Sequence, residues 1–165
     1  MRKVSKYSAS LFSGLCLIMV FTASHAETTR GSSELSLYGN VFHTSDFTLA
    51  SANIDYGYYF TNQVRGIFGA SAFGSTEGSD SINFGARTGL VYDFKPQGNT
   101  VYLGAVVNVF DVSEASDTAA GYVFLGYRQW IGESAAVFYQ GGYARPFRGG
   151  GDVILGEFGL TIFFN

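Results

Sequence analysis

Between residues 81 and 94 the chain alternates without a break. Ile82, Phe84, Ala86, Thr88, Leu90, Tyr92 and Phe94 fall on one side, Ser81, Asn83, Gly85, Arg87, Gly89, Val91 and Asp93 on the other. A period of two puts successive side chains on opposite faces of a β-strand, so this stretch predicts a strand with one apolar face and one small or polar face. The pattern recurs over 50–61, where Ala50, Ala52, Ile54, Tyr56, Tyr58 and Phe60 oppose Ser51, Asn53, Asp55, Gly57, Tyr59 and Thr61. It recurs again at the end, where Ile154, Phe158, Leu160, Ile162 and Phe164 oppose Glu157, Gly159 and Thr161. Less regular segments at about 34–43, 63–74, 100–111, 119–131 and 134–146 bring the predicted strands to eight. The stretches between them, such as "GSTEGSDS" and "KPQGN", have turn compositions, and both prolines (Pro96 and Pro146) fall there, where no ladder hydrogen bond is lost.

Composition sharpens this into an all-β chain. Gly, Tyr and Phe abound while Lys is scarce, and helix formers are few. No apolar stretch after residue 26 approaches the length of a transmembrane helix. Residues 1–26 read instead as a secretory signal peptide. Arg2, Lys3 and Lys6 form its positive start, an apolar run extends from Leu11 to about Ala23, and Ser24-His25-Ala26 supplies small residues for cleavage. Leu15 precedes the single Cys16, which argues against lipidation, and the 139 residues after the leader contain no cysteine and can form no disulfide. Residues 27–33 are expected to be a short flexible segment, and 34–165 the barrel itself. Seven bases and thirteen acids follow residue 26, a net charge of −6, which argues against nucleic acid as a partner.

The final "GEFGLTIFFN" would be an aggregation-prone edge in water, so it is expected to close a barrel by pairing with the first strand. Which face points inward follows from cost. A soluble, lipocalin-like barrel turns its apolar face inward and carries many charges outside. Here the non-apolar face holds Gly, Ser, Asn and isolated charges, which suits a crowded lumen. Turning Asp55, Arg87, Arg128 and Glu157 into lipid would cost roughly 2–4 kcal/mol for each base near the midplane and less for each acid. Arg65 and Asp93, nearer strand ends, should count for less. The expected interior network is therefore Asp55, Arg65, Arg87, Arg128 and Glu157, and the outer face would carry an aromatic girdle that includes Tyr56, Tyr58, Phe60, Tyr92 and Phe94.

The end of the chain resembles the carboxy-terminal signal of outer-membrane β-barrels: Glu157, Gly159, then Ile162 and Phe164, with Asn165 following where many members end on the aromatic. With the leader and eight strands, the chain resembles the OmpA/OmpX-type small barrels over nearly its whole length. The resemblance implies an eight-stranded antiparallel up-and-down transmembrane β-barrel in the outer membrane of a Gram-negative bacterium, with both termini periplasmic. It also implies handling by periplasmic chaperones and the barrel-assembly machinery, contact with outer-membrane lipid and lipopolysaccharide, and a monomeric state. The expected role is non-enzymatic, a structural, envelope-integrity or surface barrel with a mostly closed polar lumen and no cofactor; the alternative is a narrow channel or transporter for small solutes.

A third reading concerns His43 and Ser45, whose spacing is similar to the His-x-Ser of outer-membrane lipid A deacylases. Asp46 stands where that pattern has Asn, and Asp55 points into the lumen rather than toward the histidine, so a solvated histidine is favoured. After the leader, one histidine and no cysteine also argue against a catalytic metal. Glu77, Asp80, Asp111, Glu114 and Asp117 lie in acidic loops without the ligand spacing of a calcium loop. Arg145 and Arg148 make "RPFRGGGD" basic and are the candidates for contact with lipid phosphate.

Overall fold

The structure is a computed structural model that describes residues 27–43, 48–75, 82–109, 119–148 and 152–164. The signal peptide with Cys16, the Ser45–Asp46 pair and the acidic loop residues Glu77, Asp80, Asp111, Glu114 and Asp117 lie outside the described residues. Eight strands follow in chain order: β1 (Ser33–His43), β2 (Thr48–Tyr59), β3 (Val64–Ser75), β4 (Ile82–Asp93), β5 (Thr100–Val109), β6 (Ala119–Trp130), β7 (Ala135–Pro146) and β8 (Val153–Phe164). Each pairs antiparallel with its chain neighbours, and β8 pairs with β1, so the sheet closes into a barrel and leaves no edge.

The register sets the shape. Starting from Ser33, successive partners around the sheet are Tyr58, Gly66, Leu90, Ala105, Val123, Tyr143 and Ile154. Carrying the β8–β1 register on from Phe158↔Gly39 brings Ile154 opposite position 43, a stagger of ten residues around the barrel. With ~3.3 Å per residue along a strand and ~4.8 Å between strands, that stagger corresponds to a strand tilt of about 40° and a backbone radius of about 8 Å. Such a tube is just wide enough for side chains to fill.

Alternation sorts the faces. In β5 the residues at 100, 102, 104 and 106 are buried and those at 101, 103, 105 and 107 exposed. Large apolar residues cover the outside, among them Phe68, Leu90, Leu125 and Phe158. Among the described strand residues, Arg145 is the charged side chain that faces outward. The interior combines charges with rings: Tyr38, Tyr59, Tyr102, Tyr122, Phe124, Trp130, Phe138 and Phe163 are all buried. The expected lumen of Gly, Ser, Asn and isolated charges is found toward the loop end, where Asn40, Ser51, Asn53, Ser71 and Asn108 line it, whereas the rest is packed with aromatics. Most of these rings come from β5 to β8, where both faces are rich in apolar residues and alternation is harder to read.

Strand glycines accommodate the rings. A Cβ at Gly126 would overlap the Tyr102 ring, and one at Gly104 the Phe124 ring. Substituting either would force a large buried ring out of position. Residues 27–32, expected to be flexible, are instead bonded to the body of the barrel, with the Thr28 amide donating to Pro96 O at 2.8 Å.

Candidate functional site

The charged residues of the lumen separate into two layers. The lower one lies at the end where both described termini and the short turns 60–63, 94–99 and 131–134 are found. It brings together Glu34 of β1, Tyr59 of β2, Arg65 of β3, Asp93 of β4 and Arg128 of β6. Arg65 Nη1 lies 2.8 Å from each Asp93 carboxylate oxygen. Its Nε is 2.9 Å from Glu34 Oε1, a close ion pair although poorly aligned as a hydrogen bond. Arg128 donates from Nη2 to Asp93 Oδ2 at 2.7 Å and from Nη1 to Glu34 Oε2 at 3.2 Å. The Tyr59 hydroxyl sits at the hub. It accepts from Nη1 of Arg65 and of Arg128, each at 2.9 Å, and donates to Asp93 Oδ2 at 2.8 Å. Two arginines thus meet two carboxylates, and the layer is electrically balanced.

The second layer lies deeper, toward the loop end. Arg87 of β4 approaches Asp55 Oδ2 of β2 at 3.1 Å and Glu157 Oε1 of β8 at 3.9 Å. The Tyr38 hydroxyl donates to Asp55 Oδ2 at 3.0 Å, Tyr122 donates to Glu157 Oε2 at 3.4 Å, and Gln140 Nε2 bonds the same Glu157 oxygen. Here one guanidinium faces two carboxylates. Gly69 makes room for this pairing, since a Cβ there would collide with the Asp55 carboxylate.

Each arginine is also packed between rings. Arg65 lies over Tyr59 and Tyr102, Arg87 over Tyr38 and Phe124, and Arg128 over Trp130 and Phe163, at 5.1–5.9 Å from the ring centroids. Such contacts partly replace the water that a buried cation loses.

Little space remains. The cavity between the layers has a volume of about 20 Å³, close to what one water needs. On the loop side a vestibule of about 80 Å³ is lined by Asn40, Ser51, Asn53, Ser71 and Asn108, and it ends on Arg87 and Glu157. Among the described residues no three His, Cys, Asp or Glu side chains are grouped as metal ligands.

The five lumen residues singled out from the sequence all point inward, but they do not form one network. Asp55, Arg87 and Glu157 come together, whereas Arg65 and Arg128 belong to the other layer with Glu34 and Asp93. Glu34 was missed, although its position three residues before Leu37 in an alternating strand would have placed it inside. Asp93, placed on the inner face but left out of the expected network, is fully buried and touches both arginines.

The carboxy-terminal set divides by face. Glu157 and Gly159 face the lumen, while Ile162 and Phe164 lie on the outer face. Arg145 is exposed at the loop end of β7 and Arg148 just beyond it. The backbone of His43 ends β1. No protein-family model matches the chain, and no curated protein matches it either.

Proposed function

We propose that this barrel spans a bacterial outer membrane as a non-enzymatic, ion-tight structural element of the OmpA/OmpX type. The observation that carries the closed-lumen reading is the pair of stacked ion-and-ring layers with room for about one water between them. A hydrated ion entering this path would have to displace guanidinium–carboxylate pairs, and breaking a buried pair costs roughly 3–5 kcal/mol. The membrane setting is supported by the outer surface. Twelve-residue strands tilted by about 40° rise roughly 30 Å, matching the hydrocarbon core of a bilayer. Apart from residues such as Thr88 and Arg145 their outward side chains are apolar, with Tyr56, Tyr58, Phe60, Tyr92, Phe94 and Tyr127 exposed toward the turn end and Tyr143 and Phe147 toward the loop end, as two aromatic girdles would be.

Planar-bilayer conductance of the folded protein tests the closed lumen, with an Arg87→Ala/Arg128→Ala variant as comparison. A silent bilayer for the unsubstituted protein is expected, and steady openings would instead establish the second reading, a narrow channel. The loop-side vestibule is the one feature that favours that reading. Arg145 and Arg148 flank Phe147, and lipid phosphate is their proposed partner. Exchanging both for Gln should reduce the lipopolysaccharide that copurifies with the barrel; unchanged retention would remove this role.

A further inference from the structure

We infer that the upper ion layer and the vestibule above it form a binding site for one small monovalent cation, of the class of sodium, potassium and ammonium. The charge count carries the inference. Arg87 faces the carboxyls of Asp55 and Glu157, and both acids are buried. Each carboxyl is used as an acceptor. Asp55 Oδ2 accepts from the Tyr38 hydroxyl at 3.0 Å and stands 3.1 Å from Arg87 Nε. Glu157 Oε2 accepts from the Tyr122 hydroxyl at 3.4 Å and from Gln140 Nε2. The Gln140 amide is held in that orientation because the Tyr102 hydroxyl donates to its Oε1 at 2.9 Å. A proton on Asp55 would not complete the layer. Asp55 is 5% exposed, and its Oδ1 has no hydrogen-bond partner among the described residues, so a proton there would be a buried donor without an acceptor. One negative charge is left over, and burying it without a counter-charge is costly.

The space for a counter-ion lies on the loop side. Arg87 and Glu157 end the vestibule of about 80 Å³, room for an ion with part of its water. The wall offers neutral oxygens from Asn40 of β1, Ser51 and Asn53 of β2, Ser71 of β3 and Asn108 of β5. Asn53 donates from Nδ2 to Ser51 Oγ at 3.1 Å, which leaves the oxygen of that amide as an acceptor. Asp55 is the next inner residue below Asn53 on β2. Its Oδ1 fills the space that a side chain at Gly69 would take, one inner position below Ser71 on β3, and this brings the unpartnered oxygen to the foot of the polar wall. Oxygen donors suit hard cations. A single surplus charge beside the Arg87 guanidinium matches one positive charge and disfavours two.

The test compares urea unfolding midpoints of the folded protein, expressed as the full chain, in sodium, potassium, ammonium and choline chlorides at equal ionic strength. Choline has the same charge, but its methyl groups keep oxygen donors at a distance. A midpoint higher in at least one of the small cations, and rising with its concentration, is expected. Equal midpoints in all four salts would overturn the site, and a midpoint that then responds only to pH would show a shared proton in its place. Asp55→Asn leaves Arg87 opposite one carboxylate, so the cation-dependent shift should fall several-fold in this variant. A shift kept in full would place the ion elsewhere, as at the acidic loops, and refute the proposal. Should the variant not fold, excess magnesium chloride decides with the unsubstituted protein. Acidic loops take a divalent ion in preference, so a small-cation shift that survives magnesium supports the vestibule, and one that magnesium abolishes refutes it.

Discussion

The two ion layers of the lumen use the same chemistry with different arithmetic. In the lower layer Arg65 and Arg128 share Glu34 and Asp93 around the Tyr59 hydroxyl, and charge is matched. In the upper layer Arg87 alone faces Asp55 and Glu157, and the second carboxylate stands 3.9 Å away. A balanced buried cluster loses most when one member is removed, because the charge left behind has no water to turn to. A cluster with a surplus carboxylate can lose one and become balanced. The lower layer is therefore the structural lock of the barrel, and the upper layer is the softer floor of the loop-side vestibule.

The largest test of this contrast is a pair of carboxylate substitutions. Asp93→Asn should cost about 3–5 kcal/mol, since two buried guanidinium groups would be left with one carboxylate. Asp55→Asn should cost about 1 kcal/mol or less, the worth of one ordinary hydrogen bond. Urea unfolding of the barrel in detergent measures both, and equal losses would break the distinction. A finer comparison removes one hydroxyl from each layer. Tyr59→Phe deletes a group that contacts two arginines and Asp93, so a loss of about 1–3 kcal/mol is expected; Tyr122→Phe deletes only a 3.4 Å bond to Glu157 and should cost less than about 0.5 kcal/mol. Reversal of that order in the same assay would mean that the upper layer carries the stability.

The last comparison sets two glycines against each other. Gly126→Ala drives a methyl into the Tyr102 ring and should destabilise by about 1–3 kcal/mol. Gly156→Ala meets open space on the outer face of β8 and should lie within about 0.5 kcal/mol of the parent. A Gly126→Ala barrel as stable as its parent would show that the interior is looser than its packing indicates.

Much of the architecture could be read from local pattern. The β4 alternation assigned Arg87 to the inside and Leu90 and Tyr92 to the outside because each residue's face depends only on its parity along the strand. The same reasoning placed Asp55 and Glu157 inside. It put Asp93 on the inner face but left it out of the charge network, because the arginines it meets, Arg65 of β3 and Arg128 of β6, are brought to it only by the closed barrel. It faltered for residues 27–33, where a short polar run looks like a flexible tail. Its partners, Asn62 and Pro96, are more than thirty residues away in sequence, and no local signal announces them.

The sequence by itself determined the number of strands, their alternation and the inward placement of Asp55, Arg65, Arg87, Arg128 and Glu157, all properties of short stretches of chain. Only the tertiary structure decided which charges meet. Pairing Arg128 of β6 with Glu34 of β1, ninety-four residues apart, depends on barrel closure and on the ten-residue stagger that sets each side chain's height. That stagger is a sum over all eight strand registers, so one register slip would move the arginines past their carboxylates.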